Sequence, residues 1–117
     1  DWTHKAPGAN NAQQSPDTAL DLAAAMRENP YLKVLSLNGW YDMATPFFGT
    51  EYDLNHMMLE PVQQRNLEYR YYPSGHMVYL NPEALHAMRL DVERFVHAAV
   101  GEAQAGTPAA PAPRRRR

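Results

Sequence analysis

Residues 31–37, YLKVLSL, decide the fold, because a short run this apolar predicts a buried strand. Pro30 precedes the run and the turn-forming pair Asn38-Gly39 follows it, which sets both ends of the strand. A second strand is predicted over residues 66–72, NLEYRYY, where apolar and charged side chains alternate. Alternation of this kind indicates a strand with one face more polar than the other.

Helical patterns surround these strands and give the order helix, strand, helix, strand, helix. The predicted helices begin near Pro16 and end before Asn29-Pro30, run from about 46 to 58, and span 82–100; their expected caps are Ser15, Thr45 and Asn81. Pro61 interrupts the second helix or starts a further short turn. Two strands joined through a helix predict a parallel pair with a right-handed crossover.

The predicted fold class is therefore α/β. A sheet of two parallel strands is a poor stand-alone domain, because parallel sheets need cover on both faces. We therefore expect residues 1–100 to be the C-terminal segment of a larger α/β domain. Residues 101–117 are almost entirely Gly, Ala, Pro and Arg, and predict a disordered tail.

Composition excludes several classes of function. The 117-residue chain has no cysteine, so disulfides, thiolate zinc sites and cysteine nucleophiles are excluded. Four of its eleven basic residues are the terminal run 114–117, so the rest of the chain is more acidic than the formal net charge of −2. An acidic body argues against nucleic acid as a partner. No apolar run approaches the length of a membrane span, so no membrane partner is expected.

Asp42 and His76 are the candidate catalytic residues. Asp42 follows the first predicted strand and His76 follows the second. Functional groups collect beyond the carboxyl ends of parallel strands, so an aspartate and a histidine there are well placed to pair. Such an aspartate would accept a hydrogen bond from imidazole Nδ1–H and hold the tautomer that a general base needs. The alternative is structural: Asp42 as a turn residue and His76 as a partly buried polar group.

No nucleophile is evident for this pair. The nucleophile elbow G-x-S-x-G is absent, and the chain has three serines. Ser15 is the expected helix cap, Ser36 lies inside a strand, and Ser74 lies so close to His76 that its hydroxyl is expected to bond the local backbone. Thr45 is interpreted as a helix start.

Other polar and aromatic clusters are less specific. His86 and His97 share a face of the last helix and are interpreted as solvated, and no spacing typical of a metal site is present. A charged helix face explains Glu51, Asp53 and His56 as well as a ligand set would. The aromatic side chains around Asp42 form either core or a pocket wall; they are Trp40, Tyr41, Phe47 and Phe48.

Two loops of the sequence resemble the serine carboxypeptidase family, especially its bacterial branch. Residues 38–47, NGWYDMATPF, are similar to the catalytic-aspartate loop of that family, and residues 73–80, PSGHMVYL, to its catalytic-histidine loop. Further similar stretches are 1–5, 21–35 and 90–96. The resemblance covers roughly residues 1–98, and the two loop motifs are fairly specific when they occur together in this order.

This resemblance implies an α/β-hydrolase fold and a serine peptidase that removes C-terminal residues. It assigns the orienting acid to Asp42, the general base to His76 and the leaving-group side of the substrate site to Met77. It places the nucleophilic serine, the oxyanion donors and the groups that bind the substrate's terminal carboxylate upstream of this chain. The implied partners are a peptide substrate and the N-terminal part of the same enzyme. No cofactor is implied, and the location is periplasmic or secreted.

Two alternatives remain open at the level of sequence. The chain could be a non-enzymatic interaction domain, or a hydrolase remnant that has lost its nucleophile. A hydrolase of the same fold could instead act on an ester or another acyl donor.

Overall fold

A computed structural model describes residues 18–106 of the chain. Two strands are separated by two helices and flanked by one helix on each side, with a 3₁₀ turn before the last helix. They are α1 (Ala19–Glu28), β1 (Val34–Gly39), α2 (Phe47–Asn55), α3 (Pro61–Gln64), β2 (Leu67–Tyr72), the 3₁₀ turn (Val78–Leu80) and α4 (Pro82–Gly106). The α/β class predicted from the sequence agrees with this arrangement.

The two strands form a parallel sheet, as predicted. Val34 is in register with Leu67, and the pairing continues to Gly39 and Tyr72. The prediction that the first strand is buried is wrong for this chain, because Val34 to Ser36 are half-buried and Leu37 is exposed. The physical reason is that β1 has a strand beside it on one edge alone within residues 18–106. The strand also lies later in the chain than predicted, over 34–39.

Helices α1 and α2 cover one face of this sheet. Ala23 and Met26 of α1 are buried together with Met57 and Leu59 from the segment after α2. The half-buried residues that pack against this cluster are Ala19, Leu22, Leu32, Val34, Leu54 and Leu67, which include both strands and α2. Burial of such apolar side chains contributes on the order of 1.5–3 kcal/mol each, so this cluster is what fixes the two helices to the sheet.

Helix α4 covers the opposite face through a polar network and a small apolar cluster. Asp91 of α4 accepts hydrogen bonds from Arg70 Nε and from the Tyr72 hydroxyl, each at 3.0 Å. Tyr72 itself packs with Val78 and Ala84 in a second buried cluster. Burial and the bond to the Asp91 carboxylate raise the pKa of Tyr72, so its hydroxyl stays protonated and remains a donor.

The ends of the first two helices differ from the predicted ones. Helix α1 begins at Ala19, after Thr18, rather than near Pro16; the expected cap Ser15 lies outside the described residues. Helix α2 ends at Asn55 rather than near 58, and a separate short helix then begins at Pro61. Thr45 is not the cap of α2, because Pro46 occupies that position. The Thr45 hydroxyl instead donates a hydrogen bond to Asp42.

The last helix begins as predicted and ends later. Asn81 Oδ1 accepts hydrogen bonds from the backbone N–H groups of Glu83 and Ala84, which makes it the predicted cap. The helix runs past its predicted end at Val100 to Gly106, because residues 102–105 are Glu, Ala and Gln, which favour helix over disorder. Helix α4 thus includes residues 101–106, which the sequence assigned to the tail, and the remainder of the predicted tail lies outside the described residues.

A close approach of two backbones positions the loops that follow the strands. The strand pairing is continued by the bond from Trp40 N–H to Tyr72 O at 2.9 Å and from Tyr41 N–H to Ser74 O at 3.0 Å. A Cβ atom on Gly39 would overlap the carbonyl oxygens of Ser74 and Gly75. Glycine is therefore required at position 39 for the two loops to lie this close.

We expect Gly39→Ala to destabilise the chain by about 1–3 kcal/mol, the usual cost of forcing an extra carbon into a packed site. Gly49→Ala is the matched control, because a Cβ there meets no atom within 4 Å and alanine favours a helix by about 0.5–1 kcal/mol over glycine. Urea unfolding followed by circular dichroism measures both changes. Equal effects of the two substitutions would contradict the close approach at Gly39.

Candidate active site

Asp42 lies in a turn directly after β1, and both oxygens of its carboxylate accept hydrogen bonds. Oδ1 accepts from the backbone N–H groups of Ala44 and Thr45, both at 2.9 Å. Oδ2 accepts from the Thr45 hydroxyl at 2.7 Å and lies 3.0 Å from His76 Nδ1. The residue is 8% exposed, so these protein groups, two backbone N–H groups and two side chains, are its donors. The turn is therefore built around the Asp42 carboxylate.

These hydrogen bonds hold Asp42 in its charged form. The hydroxyl of Thr45 is the largest cause of a pKa well below the ordinary value of 3.8, followed by the Thr45 N–H, and then by His76 and Ala44. Burial opposes this shift, since it disfavours a charge, but the donors outweigh it. Asp42 is thus an ionised acceptor near neutral pH.

His76 lies in the loop after β2 and meets Asp42 across the end of the sheet. Its side chain is 61% exposed, in contrast to that of Asp42. Because Nδ1 faces an ionised carboxylate oxygen, the favourable arrangement places a proton on Nδ1. In the neutral ring Nε2 then carries the lone pair, and the exposure of the ring leaves room for a proton donor to approach it.

Met77 and Ser74, the neighbours of His76, have different surroundings. Met77 directly precedes the 3₁₀ turn and is 49% exposed beside His76. Ser74 is buried, and its hydroxyl donates to the Val78 carbonyl at 3.3 Å, as expected from its position in the turn. The hydroxyl of Ser36 is also engaged locally, with Asn38. The two serines of the described part are therefore not arranged as nucleophiles for His76.

The sequence analysis did not assign Thr45 to this site. Its hydroxyl lies 2.7 Å from Asp42 Oδ2 and 3.2 Å from His76 Nδ1, so it contacts both members of the pair. The spacing Asp-x-x-Thr was available as a signal, because a carboxylate often accepts hydrogen bonds from residues two and three positions later in a turn. The Pro46 that follows favoured the competing interpretation as a helix cap.

Three aromatic side chains stand next to the aspartate turn. Trp40 stacks on Tyr71 with ring centroids 4.6 Å apart, and Phe47 meets Trp40 edge-on at 4.9 Å. The Tyr71 hydroxyl donates to Glu51 of α2. Burial, followed by this hydrogen bond to the carboxylate, raises the pKa of Tyr71 to about 12. The cluster is attached to the sheet through Tyr71 of β2, and roughly half of the Trp40 surface is exposed to solvent.

The other candidate clusters are not assembled into sites. Glu51 is engaged by Tyr71, and the His56 ring stacks on Tyr52, so Glu51, Asp53 and His56 do not converge as a ligand set. His86 and His97 are exposed on α4. Across residues 18–106 there is no cluster of three side chains suited to hold a metal ion. In the same residues, no helix has the length and apolar character needed to cross a membrane.

Comparisons of the chain with protein-family models, with curated proteins and with solved structures give no match.

We expect the stability contributed by Asp42 to be present above about pH 4 and to be lost as the pH falls below it. The pKa of Asp42 is lowered in the fold from 3.8, so on acidification the unfolded chain takes up this proton first and unfolding is favoured. Asp42→Asn removes the titrating group, so its stability should vary less with pH on the acid side.

Urea unfolding of both proteins between pH 7 and pH 2.5 measures this difference in slope. Asp53→Asn, which changes an exposed carboxyl of α2 outside the site, is the control and should follow the wild-type curve. An Asp42→Asn variant with the wild-type acid dependence would show that the carboxylate of Asp42 is not held ionised by the fold.

Proposed function

We propose that this chain is the C-terminal part of a serine-type carboxypeptidase with an α/β-hydrolase fold, and that it supplies Asp42 and His76 to the catalytic triad. The observation that carries the proposal is the 3.0 Å contact between His76 Nδ1 and Asp42 Oδ2, at the carboxyl ends of two paired parallel strands. The resemblance of the two loops to that family supports the same assignment of roles.

The contrast in exposure within the pair fits this function. A buried, fully hydrogen-bonded Asp42 orients the ring and stabilises the imidazolium, and it need not take up a proton itself. An exposed His76 offers Nε2 to an incoming group. In the proposed reaction Nε2 accepts the proton of the serine hydroxyl as the serine attacks the peptide carbonyl, and then gives that proton to the leaving amine.

The nucleophile is proposed to come from polypeptide outside this chain. Ser36 and Ser74 are both held by local hydrogen bonds, which supports a serine from elsewhere. The half-buried state of β1 supports the same idea, because further strands beside it would complete the sheet. Met77, exposed next to His76, is proposed to line the leaving-group side of the substrate.

The full gene product that contains this chain provides the test of these roles. His76→Ala should lower kcat by about 10⁴-fold or more with KM little changed, because the general base acts on the reaction and not on binding. His97→Ala, which removes an exposed histidine of α4, should leave kcat within about twofold. The isolated chain should show no hydrolysis at all.

Three substrates separate the candidate activities in this assay. An N-blocked dipeptide with a free C-terminal carboxylate should be hydrolysed, and the same dipeptide with an amidated C-terminus should be a much poorer substrate. A preference for a simple ester over both peptides would replace the peptidase by an esterase of the same fold. No hydrolysis by the gene product, or a His76→Ala variant of near-normal rate, would refute the proposal and favour a non-enzymatic domain.

A further inference from the structure

We propose that Thr45 is a positioning residue of the Asp42–His76 pair, whose hydroxyl donates a hydrogen bond to Asp42 and thereby selects the Nδ1–H tautomer of His76. The catalytic meaning of this role rests on the proposed function. The arrangement itself lies wholly within residues 42–76.

The direction of the Thr45 hydroxyl follows from its two neighbours. Oγ1 lies 2.7 Å from Asp42 Oδ2 and 3.2 Å from His76 Nδ1, and it has one proton to donate. The carboxylate oxygen is the nearer acceptor and carries a charge, and hydrogen bonds to ionised acceptors are shorter and stronger than those to neutral ones. The proton is therefore directed to Asp42.

This direction determines what His76 Nδ1 can do. With the hydroxyl proton committed to Asp42, Nδ1 faces the carboxylate oxygen and the lone pairs of the hydroxyl oxygen, both of which are acceptors. A proton on Nδ1 satisfies both contacts. Without it, the Nδ1 lone pair would face two oxygen lone pairs, and in a neutral ring the proton would then sit on Nε2, where it prevents Nε2 from acting as a base.

A backbone hydrogen bond holds Thr45 in place for this role. The Thr45 N–H donates to Asp42 Oδ1 while the Thr45 hydroxyl donates to Oδ2, so one residue binds both oxygens of the carboxylate. A β-branched side chain has few rotamers, so little freedom is lost in holding the hydroxyl there. The exposed His76 ring is held through one nitrogen: in the described structure, its Nδ1 contacts Asp42 and Thr45.

Nuclear magnetic resonance of histidine-labelled protein tests the inference on the full 117-residue chain. The ¹⁵N shifts of the two ring nitrogens give the ratio of Nδ1–H to Nε2–H tautomer at a pH where the ring is neutral, and His76→Gln identifies the signals. The variants are Thr45→Val, which replaces the hydroxyl by a methyl group, Thr45→Ser, which keeps the hydroxyl, and Thr50→Val, which makes the same change on α2.

We expect the wild type, Thr45→Ser and Thr50→Val to favour the Nδ1–H tautomer alike. Thr45→Val should lower the ratio by about two- to tenfold, the range that one ordinary hydrogen bond sets. Thr45→Ala removes the same hydroxyl and serves as the test if the valine variant does not fold. A wild-type ratio in a folded variant without the hydroxyl would overturn the role of Thr45, whatever the activity of the gene product.

Discussion

The parallel pairing of β1 with β2 is the constraint on which the candidate site depends. Both strands end at the same edge of the sheet, so the loops that carry Asp42 and His76 leave it side by side. The pairing continues past the strands through the N–H groups of Trp40 and Tyr41, and the absence of a side chain at Gly39 lets the second loop approach. A larger residue at position 39 would separate the loops before the side chains could meet.

Within this frame, the two members of the pair have opposite surroundings for a physical reason. A buried carboxylate is stable as an ion when donors surround it, and Ala44 and Thr45 of its own turn supply them together with His76 of the loop after β2. The imidazole carries no such requirement and remains at the surface. An ion fixed by its own backbone beside an exposed, orientable base is the arrangement that proton transfer to and from a bound group needs.

Local patterns were sufficient to predict the order of the elements, their parallel pairing and the approach of Asp42 to His76. These follow from chain connectivity, since two strands joined through a helix favour a parallel pair, and parallel neighbours end at the same edge. The role of Thr45 was missed because Pro46 after it is equally typical of a helix start, and only the folded turn shows which acceptor the hydroxyl chooses. The burial of β1 was predicted wrongly. The apolar content of a strand indicates that it can be buried, but it does not show whether the described residues supply strands on both of its edges.

We propose that Asp42 and His76 serve a serine outside this chain. A fluorophosphonate reacts covalently with serines activated in this way, and mass spectrometry of the digested gene product locates the modified residue. We expect one labelled serine, in polypeptide upstream of Asp1, with labelling abolished by His76→Ala. Labelling on Ser36, Ser74 or Thr45, or labelling of the upstream serine that persists without His76, would contradict it.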